Sequence, residues 1–161
     1  MPRNLNKTAS PWLVKRTAFI SLVVGAFVPI MSGEAMAQQK YFTQNCQFTN
    51  AAMMGKGGYR VDYTIRVNTK KGPRNFYAAR YSDGSGLFCI SKPGGQNPSK
   101  VPVAFQGSFF NTVTQKGPKS VLVEIRDSQG RAATIKLYKL KFKNPNRPKV
   151  KIVKTWIDSS R

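Results

Sequence analysis

From residue 59 onward, apolar and polar side chains alternate with a period of two. In Tyr59 to Asn68, Tyr59, Val61, Tyr63, Ile65 and Val67 share one face, while Arg60, Asp62, Thr64, Arg66 and Asn68 share the other. Such alternation over ten residues predicts a half-buried β-strand, because successive side chains of an extended chain point to opposite sides. Tyr41–Phe48, Arg74–Tyr81, Gly86–Ile90, Val101–Phe105, Ser120–Arg126, Arg131–Phe142 and Lys149–Ile157 read the same way. Gly55 to Gly58, Lys71-Gly72-Pro73, Ser82 to Gly86 and Lys92 to Pro98 separate them and are rich in turn-forming Gly, Pro, Asp and Ser. No stretch after residue 37 repeats at 3.6 residues. The expected fold is all-β, a small antiparallel sandwich or partly open barrel of about seven to nine strands.

The last third predicts a three-stranded meander. Asp127-Ser128-Gln129-Gly130 joins the first two strands as a hairpin, and Asn144-Pro145-Asn146-Arg147-Pro148 joins the second to the third. In the middle strand the apolar set moves from Ile135 and Leu137 to Tyr138, Leu140 and Phe142. A shift of face inside one strand predicts a β-bulge near Leu137-Tyr138.

The N-terminal pattern differs. Arg3, Lys7, Lys15 and Arg16 precede the uncharged apolar run Thr17 to Met31, and Ser32-Gly33-Glu34-Ala35-Met36-Ala37 follows. A basic segment, a short apolar run and a small-x-small site predict a secretory signal peptide cleaved after Ala37. The run is shorter than a bilayer span and carries Pro29. Lys15-Arg16 is not a twin arginine, which favours the general secretion route. Residues 1–37 are therefore expected to leave, and 38–161 to form one secreted or periplasmic domain. In an oxidising compartment, Cys46 and Cys89, the chain's two cysteines, predict one structural disulfide.

Charge and residue inventory restrict the chemistry. The chain has 27 Lys and Arg, 6 Asp and Glu and no His. An imidazole base, a His-ligated metal and a Ser-His-Asp relay therefore have no residues to build on. The glycine clusters match neither a P-loop nor a dinucleotide fingerprint, and Gly84-Ser85-Gly86 is not a nucleophile elbow. Neither an enzymatic activity nor a cofactor is expected.

Only Arg3, Lys7, Lys15, Arg16 and Glu34 among the charged residues lie in the leader, so the excess of cations belongs to the exported part. Seven of the sixteen residues from Lys139 to Lys154 are basic and none is acidic. Lys136, Lys139, Lys141 and Lys143, together with Arg147, Lys149, Lys151 and Lys154, are expected to form a cationic ribbon, with Trp156 as a stacking platform. Like charges paired across strands repel by roughly a few tenths to one kcal/mol per pair, which a polyanion relieves. Lysines suit dense, irregular anions, whereas the arginine fork suits one defined ligand. The expected partners are lipopolysaccharide, acidic polysaccharide, teichoic acid or anionic lipid head groups, and export disfavours cytoplasmic nucleic acid. The alternatives are edge protection or solubility for the lysines, a disordered basic tail after Pro145, and an envelope-structural or protein-docking module whose partner is acidic.

Overall fold

A computed structural model describes residues 39–50, 57–96, 98–130 and 132–158. The proposed leader and its cleavage site lie outside them. Ten strands are described and no α-helix: β1 (Tyr41–Phe42), β2 (Phe48–Thr49), β3 (Tyr59–Thr69), β4 (Gly72–Arg80), β5 (Gly86–Ile90), β6 (Ser99–Lys100), β7 (Phe109–Gln115), β8 (Ser120–Arg126), β9 (Thr134–Lys141) and β10 (Lys149–Ile157). They form a curled six-stranded sheet in the order β2-β1-β3-β4-β5-β6 and a four-stranded sheet in the order β10-β9-β8-β7. All neighbours are antiparallel, and one isolated bridge, Ser85 to Phe109, links the sheets. The all-β expectation holds. The strand number exceeds seven to nine because three strands have only two residues each.

Alternation decides which side chains meet between the sheets. Val67, Phe76, Phe88, Phe105, Phe110, Val121, Val123, Leu140 and Phe142 form the main core. Phe88 has the rings of Phe105 and Phe110 at centroid distances of 5.2 and 5.4 Å. A second cluster covers the outer side of the large sheet: Phe42, Cys46, Val61, Tyr77, Ala79, Leu87 and Cys89. β5 is consequently buried on both faces, which explains why Gly86-Leu87-Phe88-Cys89-Ile90 lacks polar alternation. The Cys46–Cys89 disulfide, with Cα atoms 6.0 Å apart, fastens the β1–β2 hairpin over this cluster.

Four strand expectations need correction. The pairing of β3 with β4 shifts between Val61 and Tyr63, so the five apolar residues do not share one face: Tyr59 and Val61 join the outer cluster, while Tyr63, Ile65 and Val67 face the main core. The Tyr41–Phe48 run is two short strands around a tight turn, closed by the Thr43 N–H donating to the Gln47 carbonyl at 2.8 Å. Cys46 sits there at φ 63°, a left-handed conformation no extended strand allows. Val101–Phe105 is irregular: Val101, Val103 and Phe105 are buried, but the Gln106 side chain holds the backbone of Phe88 and Val101 in place of a strand ladder. Conversely, β7 escapes a period-two reading because the pairing shifts between Phe110 and Val113, so buried positions fall three apart.

Gly86 packs where a side chain cannot go. An added Cβ would lie 2.7 Å from Phe110 Cδ1 and 2.8 Å from the Ser108 carbonyl oxygen. Gly86→Ala is expected to destabilise the fold by about 1–3 kcal/mol, since a backbone atom must yield, and chemical denaturation measures the loss.

Candidate cationic interface

The interface grows from the register of β9 and β10. Lys149 lies opposite Lys141 and Lys151 opposite Lys139, so two lysine pairs face each other across neighbouring strands. The pairing then shifts between Ile152 and Lys154, beside Tyr138 and Leu137, which brings Lys154 onto the same face. This is the level at which a bulge was expected, but the additional residue is Val153 of β10. β9 itself pairs β8 without interruption from Ser120/Lys141 to Arg126/Ile135. Ile135 and Leu137 therefore remain on the face opposite Tyr138 and Leu140.

An unbroken β9 changes the list of interface residues. Lys136 belongs to the face of Tyr138 and Leu140, between Ile125 and Thr155, and leaves the ribbon. Lys143 and Arg147 lie beyond the ends of the strands, in the β9–β10 turn. Trp156 shares the lysine face but is paired with buried Ile135, and the Lys154 ammonium lies 5.3 Å from its ring centroid. That ring is already engaged by a cation, which weakens its assignment as an open platform. Lys139, Lys141, Lys149, Lys151 and Lys154 are the residues brought together. Among the described residues the ion pairs are Arg60–Asp62, Arg80–Asp62 and Arg126–Asp158, so none of these five lysines has a carboxylate within 4.0 Å.

β10 is not a disordered tail. It pairs along its length with β9 and forms a free edge of the small sheet. Val150, Ile152, Val153 and Ile157 are exposed there. The lysines also protect an edge that would otherwise invite strand pairing.

The antiparallel topology leaves one end of the domain with cations alone and gathers the carboxylates at the other. The turns β3–β4, β5–β6, β7–β8 and β9–β10 all emerge at one end. They contribute Lys70 and Lys71, Lys92, Lys116 and Lys119, and Lys143 and Arg147, with no acidic residue among them. Backbone contacts draw the turns together: the Asn68 N–H donates to the Pro118 carbonyl at 2.6 Å, Lys70 to Lys143 at 3.2 Å and Phe142 to Lys119 at 2.8 Å. Asp83, Asp127 and Asp158 lie at the other end, and Asp62 and Glu124 lie toward it. This polarity was invisible to local pattern reading, since it arises only when alternate turns are stacked.

Hydrogen bonds favour the ionised form of two of these carboxyls. The Ser85 hydroxyl and backbone N–H lower the carboxyl pKa of Asp83, and the Thr134 hydroxyl, then its N–H, lower that of Asp127. A carboxyl pKa lowered by folding adds stability above the ordinary carboxylate range, which is lost as pH falls through the lowered value. Carboxyl NMR titration is expected to give midpoints below that of an unstructured Asp. Asp127→Asn is expected to remove its share of this acid-range pH dependence.

No family model, curated protein or solved structure matches the chain. The class is defined by its architecture: a disulfide-fastened, two-sheet β domain with a lysine-faced edge. Among the described residues no helix is long and apolar enough to cross a membrane. The disulfide is compatible with export.

Proposed function

We propose that this protein is an exported binding protein that attaches to anionic polymers or surfaces of the cell envelope or extracellular space through Lys139, Lys141, Lys149, Lys151 and Lys154. The supporting observation is the register that opposes Lys141 to Lys149 and Lys139 to Lys151 with no carboxylate within 4.0 Å of either pair; Glu124, opposite Leu137 on the same face, accepts instead from the Asn111 amide. Mutual repulsion in the free protein is relieved when an anionic chain lies along the ribbon, so binding and fold stability rise together. Lipopolysaccharide phosphates, acidic polysaccharide and anionic lipid head groups provide that charge density.

Five contacts predict a steep salt dependence. By analogy with phosphate polymers, log affinity is expected to fall with log salt at a slope of about −4, or roughly two orders of magnitude between 50 and 200 mM. Titration against heparin at several salt concentrations measures it, and a flat profile contradicts the proposal. The exposed apolar residues of β10 favour a second reading, docking of an acidic protein. Retention by an envelope extract after high-salt washing, together with weak heparin binding, would select that reading.

A further inference from the structure

A second cationic feature lies apart from the ribbon face, at the basic end of the domain. Arg74 shares the inward face of β4 with Phe76 and Ala78, and its side chain is only 5% exposed. Its guanidinium reaches the carbonyls of Ser91 and Lys71, both at 3.5 Å, the long limit of a hydrogen bond. Its Nε is buried without an acceptor. Arg80 and Arg126 also bury an Nε lacking hydrogen-bond geometry, but carboxylates lie 3.1 and 3.2 Å from their guanidinium nitrogens. Arg74 has no ion-pair partner among the described residues. A buried guanidinium without a counter-ion is unfavourable, because desolvation is not returned by Coulomb attraction.

Arg74 forms part of the wall of a cleft of about 550 Å³, where Lys71, Lys92 and Lys100 join it and no acidic residue contributes. Four cations around one space exceed what a single monoanionic carboxylate balances, and they suit a dianionic phosphate. The volume lies within the range of small-ligand sites, roughly 300–1,000 Å³, and leaves room for more than inorganic phosphate. Pro93 and Pro102 add apolar wall against which a carbon skeleton can pack. We infer that this cleft binds a phosphate monoester of sugar or polyol size, with Arg74 as the buried counter-charge and Lys71, Lys92 and Lys100 around it. The ester can be a free phosphorylated sugar or the terminal phosphate of a polymer.

The test is calorimetric titration of the folded, disulfide-bonded domain with glucose 6-phosphate and, separately, with a glycerol phosphate oligomer ending in a monoester. Binding of glucose 6-phosphate assigns the free ester, and binding of the oligomer alone assigns the polymer terminus. Lys92→Ala/Lys100→Ala, at exposed positions, is expected to weaken the bound probe at least tenfold. Lys40→Glu changes net charge by the same amount at the other end of the domain and is expected to leave affinity within twofold. Arg74→Met is expected to abolish binding while retaining the fold. Should that variant unfold, the Lys92/Lys100 comparison still decides. Failure of both probes to bind at millimolar concentration overturns the inference, as does equal weakening by Lys40→Glu and by the Lys92/Lys100 change.

Discussion

Simultaneous replacement of Lys139, Lys141, Lys149 and Lys151 by Glu is expected to reduce affinity for an anionic polymer by at least about a thousandfold at low salt. Each basic residue near an anionic surface contributes about 1 kcal/mol, and four together correspond to about 4 kcal/mol, or three decades, before repulsion from the new carboxylates is added. The fold should survive. Lys141, Lys149 and Lys151 are exposed, Lys139 is half-buried, and none forms an ion pair within the described residues. Replacing the same four by Ala separates the two contributions: affinity falls, and stability stays level or rises slightly because two opposed pairs no longer repel. Unchanged affinity in a folded Glu variant would remove the ribbon as the binding surface.

Loss of the disulfide is the second large effect. Cys46→Ala/Cys89→Ala is expected to destabilise the domain by about 4 kcal/mol from the entropy of closing its loop, with a sequence separation of 43 residues. For a domain of this size that corresponds to a Tm lower by about 15 °C. Because loop entropy acts on the unfolded chain, amides of both sheets that exchange by global unfolding should lose the same protection, with local opening added in the β1–β2 hairpin over Phe42, Val61, Tyr77 and Leu87. The ribbon belongs to the other sheet, so polymer affinity measured well below the new Tm should remain within about twofold. Hydrogen exchange separates the two: unchanged protection of the slowest amides in β8 and β9 would contradict the loop-entropy contribution, and no additional opening of β1–β2 would contradict the fastening role of the bridge.

Legibility followed the physics of each segment. A strand with one apolar face, such as β8, announces itself by alternation, and β8 and β10 are bounded correctly from pattern alone. β3 shows the same period, but the period hides the shift between Val61 and Tyr63 that moves its apolar side chains from one face to the other. β5 lacks alternation because both of its faces are covered, yet its short apolar run between turn signals was enough. β7 was missed where a register shift puts Phe110 and Val113 on the buried side. The ribbon was legible because a two-residue period in Lys139, Lys141 and in Lys149, Lys151 survives any plausible pairing. Lys136 was misplaced because a change of face along the chain does not reveal which of two paired strands carries the extra residue. The cleft around Arg74 was not legible, since it depends on turns distant in sequence meeting at one end. The available signal was small: an Arg in phase with Phe76 and Ala78, on the inward side of a strand.

Chemical acetylation of lysines, read by mass spectrometry with and without heparin at low salt, tests the central assignment most directly. Lys139, Lys141, Lys149, Lys151 and Lys154 should lose reactivity together on binding, while exposed Lys40, at the end that carries the carboxylates, keeps its own. Equal protection of Lys40 and the five ribbon lysines, or no protection of the five despite bound heparin, would contradict the account.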